Sequence, residues 1–141
     1  MVFRIQVTLK VTVKIYFMET RAKAFLKYAS EKLKEANNEL SRPEEDIVSF
    51  VVCKNSQFAI ENYLKGFLLK NGIDPKGETI DNLYNECLSI NKGFEKVNLT
   101  HFDCKSKNTS DVKYCYEVSK VSKCYDIANS LDTLLKEQKI I

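Results

Sequence analysis

From Met18 to the end of the chain, apolar residues recur at spacings of three and four, the period of an α-helix with one buried face. The first such face consists of Ala22, Phe25, Leu26, Ala29, Leu33, Ala36 and Leu40. Three more segments of this kind follow, over about 43–72, 79–90 and 110–138. Four amphipathic helices with short connections predict an all-α, antiparallel up-and-down four-helix bundle.

Turn and capping residues set the expected helix boundaries. Arg42-Pro43 ends the first helix, and Pro43 with the acids after it suits the first turn of the second. Gly72 is expected to close that second helix, and the turn after it leads to a third helix from about Thr79. The last helix is expected to begin near Ser110-Asp111, which is good N-cap chemistry.

Residues 1–17 follow a different pattern, with an apolar side chain at every odd position from Phe3 to Phe17. Period-two alternation rich in β-branched residues predicts one long strand-like extension. A lone strand has unpaired backbone groups, so it either pairs across a dimer or lies upstream of a natural start at Met18. The expected division is therefore an extension over 1–17 and a helical domain over 18–141.

Charge and cysteine content restrict the class of protein. The net charge is only +3, and just three of the 22 basic residues are Arg. Arg is the usual residue for bidentate phosphate or base contacts, so a dedicated nucleic-acid binder is disfavoured while a small anionic ligand stays open. Five irregularly spaced cysteines without a CxxC pair favour reduced thiols in a cytoplasmic protein. No apolar run is long enough for a membrane span.

The second helical segment carries Gln57-x-Ala59-x-Glu61-x-x-Leu64-Lys65-x-x-Leu68. It is followed by Asn71-Gly72 and by a short leucine-bearing segment that starts at Thr79. This pattern resembles the HEPN family, named for higher eukaryotes and prokaryotes nucleotide-binding. The resemblance covers residues 18–138 and implies the same helical bundle.

Many HEPN proteins are metal-independent ribonucleases with an Arg-x4-6-His motif at the start of the last helix. The histidine moves protons and the arginine steadies phosphate charge. The single histidine here is His101, and residues 95–100 before it contain no Arg. No catalytic residue is therefore expected. The one exception would be a degenerate ribonuclease, which would have to use Lys96 with His101.

The resemblance then implies the branch of HEPN proteins that bind a nucleotide or pair with a small nucleotidyltransferase. Glu61 and Lys65 lie four apart on one helical face and are candidate ligand-binding residues, the alternative being an ordinary surface ion pair. Lys113, Lys120 and Lys123 are further candidates, and a solvated helix face is the alternative for them.

No metal site or cofactor is expected. His101-x-x-Cys104 is the single tight pair of potential zinc ligands, and structural zinc sites usually need two such pairs. The leading hypothesis is a non-catalytic HEPN-like module that self-associates as a homodimer and binds a nucleotide, RNA or a nucleotidyltransferase partner. No association with a membrane is expected. The alternatives are the degenerate, toxin-like ribonuclease and a purely structural dimerisation module.

Overall fold

The computed structural model describes residues 2–99 and 117–141, with side chains from Lys10 onward. The described chain forms four α-helices: α1 (Val2–Leu40), α2 (Ser49–Lys70), α3 (Ile80–Ile90) and α4 (Val118–Glu137). Short 3-10 helices occupy Glu44–Asp46 and Lys92–Lys96. Neither described segment contains a strand, so the predicted all-α bundle is confirmed.

Helix α2 lies at the centre of the bundle and packs against α1, α4 and α3. Its side chains are therefore buried on three sides, and Ile60, Tyr63, Leu64 and Leu68 have no exposed surface. Phe67 packs edge to face on Phe94, with ring centroids 4.7 Å apart. Because so much of its circumference is covered, α2 tolerates the nearly continuous apolar run at its C-terminal end.

The prediction of a strand over residues 1–17 is wrong, because α1 runs unbroken from Val2 to Leu40. Residues 22–36 bury one face, and extending that helix adds one backbone hydrogen bond per residue. The β-branched residues oppose this by only about 0.7 kcal/mol each at most, whereas a lone strand leaves its backbone unpaired. Whether residue 18 begins a separate domain stays a prediction.

An apolar pattern of period two spreads around a helix instead of forming one face, since residues i and i+2 lie about 200° apart. The described part of this N-terminal segment consequently exposes large apolar side chains, with Phe17 61% and Val13 52% exposed. Among the described residues, no helix has both the length and the apolar character needed to cross a bilayer.

The α1–α2 connection differs from the predicted one. The residues after Pro43 form a separate 3-10 turn, and α2 begins only at Ser49. The intervening Ile47 and Val48 are extended, and Ile47 packs partly buried against the core. The Glu39 carboxylate accepts a hydrogen bond of 2.9 Å from the Val48 backbone N–H, so a side chain from α1 caps the entry to α2.

The ends of the other helices follow local chemistry. Helix α3 begins at Ile80, close to the predicted start, and the Thr79 hydroxyl caps it by accepting a hydrogen bond from the Asn82 N–H. Gly72 closes α2 as predicted, with φ at +80° and the Schellman pattern of hydrogen bonds. Helix α4 begins at Val118 after an extended Glu117, and the predicted helix start near Ser110-Asp111 lies outside the described residues.

The cysteines are of two kinds. Cys87 and Cys124 are buried thiols that form no disulfide, as predicted. Cys53 is disulfide-bonded, so the prediction of a reduced thiol is wrong for this residue. Sequence spacing carries no information on which cysteines meet in space. Because a disulfide is typical of oxidising surroundings, the cysteines no longer support a cytoplasmic location.

Candidate functional site

Glu61 and Lys65 form the ion pair that their spacing allows. The Lys65 Nζ lies 2.9 Å from Glu61 Oε1, and both side chains are about three-quarters covered. Each charge is thus largely compensated by its neighbour on the same face of α2. An i,i+4 pair of this kind stabilises a helix by about 0.3–0.5 kcal/mol, and its geometry corresponds to the ordinary ion-pair interpretation.

The predicted basic stretch is described at two of its three lysines. Lys120 lies 3.5 Å from Glu117 at the start of α4, and Lys123 is exposed one turn later. Lys113 lies outside the described residues. His101 also lies outside them, while Lys96 is exposed at the end of the second 3-10 helix. The ligand-binding role of the lysines and the ribonuclease pair therefore both stay predictions.

A groove lies where α1 passes the C-terminal end of α2, and we name it the end groove. It has a volume of about 770 Å³, within the range of roughly 300–1,000 Å³ that is usual for small-molecule sites. It is lined by Lys10, Val13, Lys14, Phe17, Met18, Arg21, Gly72, Asp74 and Lys76. Its walls come from one face of α1 and from the turn after α2.

Cations dominate the charge of the end groove. Three of its four basic side chains, Lys10, Lys14 and Arg21, come from α1, and Lys76 comes from the turn. Asp74 is the single acid among the lining residues, and its Oδ1 lies 3.2 Å from the Arg21 guanidinium. Because this one acid pairs with Arg21 alone, the groove keeps a net positive charge, and its field favours an anionic ligand.

The apolar part of the end groove consists of Val13, Phe17 and Met18. Phe17 is 61% exposed, so much of its aromatic side chain is accessible to a planar ligand group. Gly72 supplies the left-handed backbone that turns the chain after α2, and the turn delivers Asp74 to Arg21. The groove thus combines an apolar wall with a cationic rim.

Sequence reasoning missed this groove because it assigned Lys10 and Lys14 to a strand. In a strand these two residues share a face by parity, without any relation to Arg21. In a continuous helix, positions 10, 14 and 21 fall within an arc of about 40°. The spacing of four and seven among these basic residues was the available signal.

A second polar cluster lies in the core and has a structural role. The Tyr63 hydroxyl donates a hydrogen bond of 2.8 Å to Asp132 Oδ1, and Lys136 contacts Oδ2 at 2.8 Å. Burial raises the pKa of the Tyr63 phenol, and the adjacent Asp132 raises it further. Asp132 is 6% exposed and has partners on both oxygens, as a buried carboxylate requires.

The described residues contain no group of three or more histidine, cysteine or acidic side chains that would hold a metal ion. Glu78 and Glu86 interact with each other, and this interaction affects the pKa of Glu86. Burial raises the pKa of Glu86, and the nearby charge of Glu78 raises it further. This pair bears on stability and lies outside the end groove.

Comparison with known proteins identifies the family. No curated protein and no solved structure matches the chain. A family model described as the HEPN domain matches residues 22–135, well over half of the 141 residues. The match begins at Ala22, the first buried residue in the part of α1 whose side chains are described, and ends at Leu135 in the last buried turn of α4. The chain therefore belongs to the HEPN family.

Proposed function

We propose that this HEPN domain is a non-catalytic module that binds a nucleotide in the end groove and associates with a second copy of itself. The observation that carries the nucleotide assignment is the apolar wall beside a cationic rim within one groove. A nucleotide has the same division, with a planar base at one end and phosphates at the other. The sequence lacks the Arg-x4-6-His pairing, which supports the non-catalytic part.

The base of a nucleotide would stack on Phe17. A base on an exposed aromatic ring is worth about 1–3 kcal/mol and is tolerant of base identity. Val13 and Met18 would contact the edges of the base and sugar without specific hydrogen bonds. The groove therefore favours binding that discriminates poorly among the bases.

The phosphates would lie against the rim formed by Lys10, Lys14 and Arg21. Asp74 holds the guanidinium by one edge, at 3.2 Å, and a guanidinium has five N–H donors. Donors therefore remain for a phosphate, while Asp74 fixes the orientation of the group. Lys10 and Lys14 lie one helical turn apart and add point charges along the same face.

Calorimetric titration of the full chain with ADP tests the proposal, with adenosine and inorganic phosphate titrated separately. We expect ADP to bind more tightly than either part. Lys14→Ala and Arg21→Ala should each weaken ADP binding by roughly threefold to tenfold, which corresponds to a typical net hydrogen bond of about 0.5–1.5 kcal/mol. Asp74→Asn removes the one acid of the groove but keeps a side-chain oxygen that can accept a hydrogen bond from Arg21, so it should strengthen ADP binding.

Lys34→Ala is the matched control, because Lys34 is exposed on α1 and does not line the end groove. Lys65→Ala and Lys120→Ala decide between this groove and the lysines predicted from sequence. A loss of ADP binding in either of those two, with Lys14→Ala unchanged, would move the site to the predicted residues. No heat with ADP or ATP would refute the nucleotide proposal.

A nucleotidyltransferase partner is the other form of this hypothesis. An anionic loop or helix with an apolar anchor has the same complementarity to the end groove as a nucleotide. If the chain binds a co-encoded nucleotidyltransferase and Arg21→Ala breaks that complex, the groove serves a protein partner instead.

A further inference from the structure

A second groove lies between the middle of α1 and the C-terminal end of α4, and we name it the α1–α4 groove. Its volume is about 490 Å³, within the range of roughly 300–1,000 Å³ that is usual for small-molecule sites. Its cationic lining residues are Lys23, Lys27, Lys70 and Lys136. The α1–α4 groove shares none of its lining residues with the end groove, so it is a separate candidate site.

A backbone turn after α4 builds the apolar wall of the α1–α4 groove. Lys139 has φ at +58°, a left-handed conformation that glycine more often adopts just after a helix. The Ile140 backbone N–H then returns to the last turn of α4 with a hydrogen bond of 2.8 Å, and the Ile140 carbonyl oxygen accepts one of 2.6 Å from Lys70 Nζ. As a result, Ile140 and Ile141 line the same groove as Leu26.

The four lysines of the groove are of two kinds. Lys136 Nζ lies 2.8 Å from Asp132 Oδ2, and Lys70 Nζ is held by the carbonyl group already described. Lys23 and Lys27 are exposed, and neither forms an ion pair with another residue that the structure describes. They lie one turn apart on α1, about 6 Å along the helix axis, so both ammonium groups can approach one anionic group.

The two acids of the groove do not cancel its positive charge. Asp132 is 6% exposed, and its two oxygens are engaged by Tyr63 and Lys136. Glu31, one turn after Lys27 on α1, is the one exposed acid among the described lining residues. With four lysines against two acids, the groove keeps a net positive charge, and its field favours an anionic ligand group.

We propose that the α1–α4 groove binds a fatty acid, with its carboxylate against Lys23 and Lys27 and its chain along the aliphatic wall. The apolar lining residues are one leucine and two isoleucines, and no aromatic ring is among the described lining residues. This lining suits a saturated chain better than a planar base, in contrast to the end groove with its exposed Phe17. The inference concerns a second site and does not depend on nucleotide binding.

Calorimetric titration of the full chain with hexanoate, octanoate and decanoate, each below its critical micelle concentration, tests the proposal. Each added methylene that enters the groove should tighten binding by about two- to fourfold, the upper value being that of a fully buried methylene. Ile141→Ser should reduce this gain per methylene, because it replaces part of the aliphatic wall with a polar group.

The position of the carboxylate is tested with charge variants. Lys27→Ala should weaken decanoate binding by roughly threefold to tenfold, and Glu31→Gln should strengthen it. Lys34→Ala is the matched control, because Lys34 is exposed two turns beyond Lys27 on the same face of α1 and does not line the groove. Lys14→Ala reports on the end groove as the alternative location.

The outcomes separate this inference from the nucleotide proposal. No heat with decanoate, equal affinity for the three chain lengths, or equal affinity of the parent and Lys27→Ala would each overturn the fatty-acid site. A loss of decanoate binding in Lys14→Ala, with Lys27→Ala unchanged, would place the chain in the end groove and overturn it too. We expect ADP to bind equally well with and without saturating decanoate, and a failure of ADP to bind would leave the fatty-acid result standing.

Discussion

Gly66 lies where α2 packs closely against α1, and its replacement by alanine tests how that packing is built. A Cβ at this position would lie 2.6 Å from both Cγ and Cδ2 of Leu26, and 3.3 Å from the Ala22 carbonyl oxygen. Ordinary contacts between carbons are about 3.5–4.0 Å. Leu26 is 5% exposed, so it has little space into which it can move.

Two opposing effects set the size of the change. Overpacking a close core contact costs about 1–3 kcal/mol, and the clash with a Cγ close to the backbone favours the upper part of that range. Alanine in place of glycine within a helix recovers about 1 kcal/mol. We therefore expect Gly66→Ala to lower the free energy of unfolding by about 1–2 kcal/mol.

A double-mutant cycle with Leu26→Ala isolates the contact. Leu26→Ala alone should cost about 2–5 kcal/mol because it leaves a cavity. In that background the two Leu26 atoms at 2.6 Å are gone and the Ala22 carbonyl oxygen at 3.3 Å remains, so Gly66→Ala should stabilise the protein by up to about 1 kcal/mol. Urea unfolding of the four proteins gives the coupling energy. Equal destabilisation by Gly66→Ala in both backgrounds would refute the steric explanation.

Three further predictions concern buried titratable groups. Tyr63→Phe should lower the free energy of unfolding by about 1–3 kcal/mol, since Asp132 loses a buried donor. The pKa of Tyr63 is raised in the folded protein, so its stabilisation is present below the unfolded pKa near 10 and declines above it. Urea unfolding at rising pH should therefore show a smaller loss of unfolding free energy above pH 10 in Tyr63→Phe than in the parent. An equal loss in both proteins would contradict this. Burial raises the pKa of the Cys87 thiol, so iodoacetamide should not label it in the native protein at pH 8. Peptide mass mapping would detect the label, and rapid labelling without denaturant would disprove the burial of Cys87. The pKa of Glu86 is also raised, which means that the folded protein favours the protonated form and loses stability as pH rises above about 4.5. Glu86→Gln should consequently melt at a higher temperature than the parent at pH 7, with the difference vanishing at pH 4, whereas a constant difference would point to packing instead of repulsion by Glu78.

The bundle was predictable because most of its helices carry their own periodic signal. The buried positions Leu26, Leu33 and Leu64 follow the spacing of three and four in the sequence, and Thr79 and Gly72 mark helix ends through local hydrogen-bonding chemistry. The N-terminal segment was mispredicted because its alternation indicates a strand. Its helix is instead an extension of a helix stabilised further along the chain.

The site residues were less accessible to sequence reasoning. The spacing of Glu61 and Lys65 predicts an ion pair, and the structure has one. The end groove depends on Arg21 meeting Asp74, which are 53 positions apart, and no local pattern encodes that contact. The capping of Val48 by Glu39 across the α1–α2 connection is non-local in the same way.

The sequence by itself determined the helical class, the family pattern on α2 and the absence of the ribonuclease pairing, since each depends on residue types at short, fixed spacings. The tertiary structure decided the conformation of residues 2–17, the disulfide state of Cys53 and the position of the end groove. A helix can propagate through β-branched residues once a neighbouring segment is anchored in a core. Similarly, Arg21 and Asp74 share a groove only after α1 and α2 have packed. The helix over residues 2–17 and the end groove therefore both follow from packing energy and not from local preference.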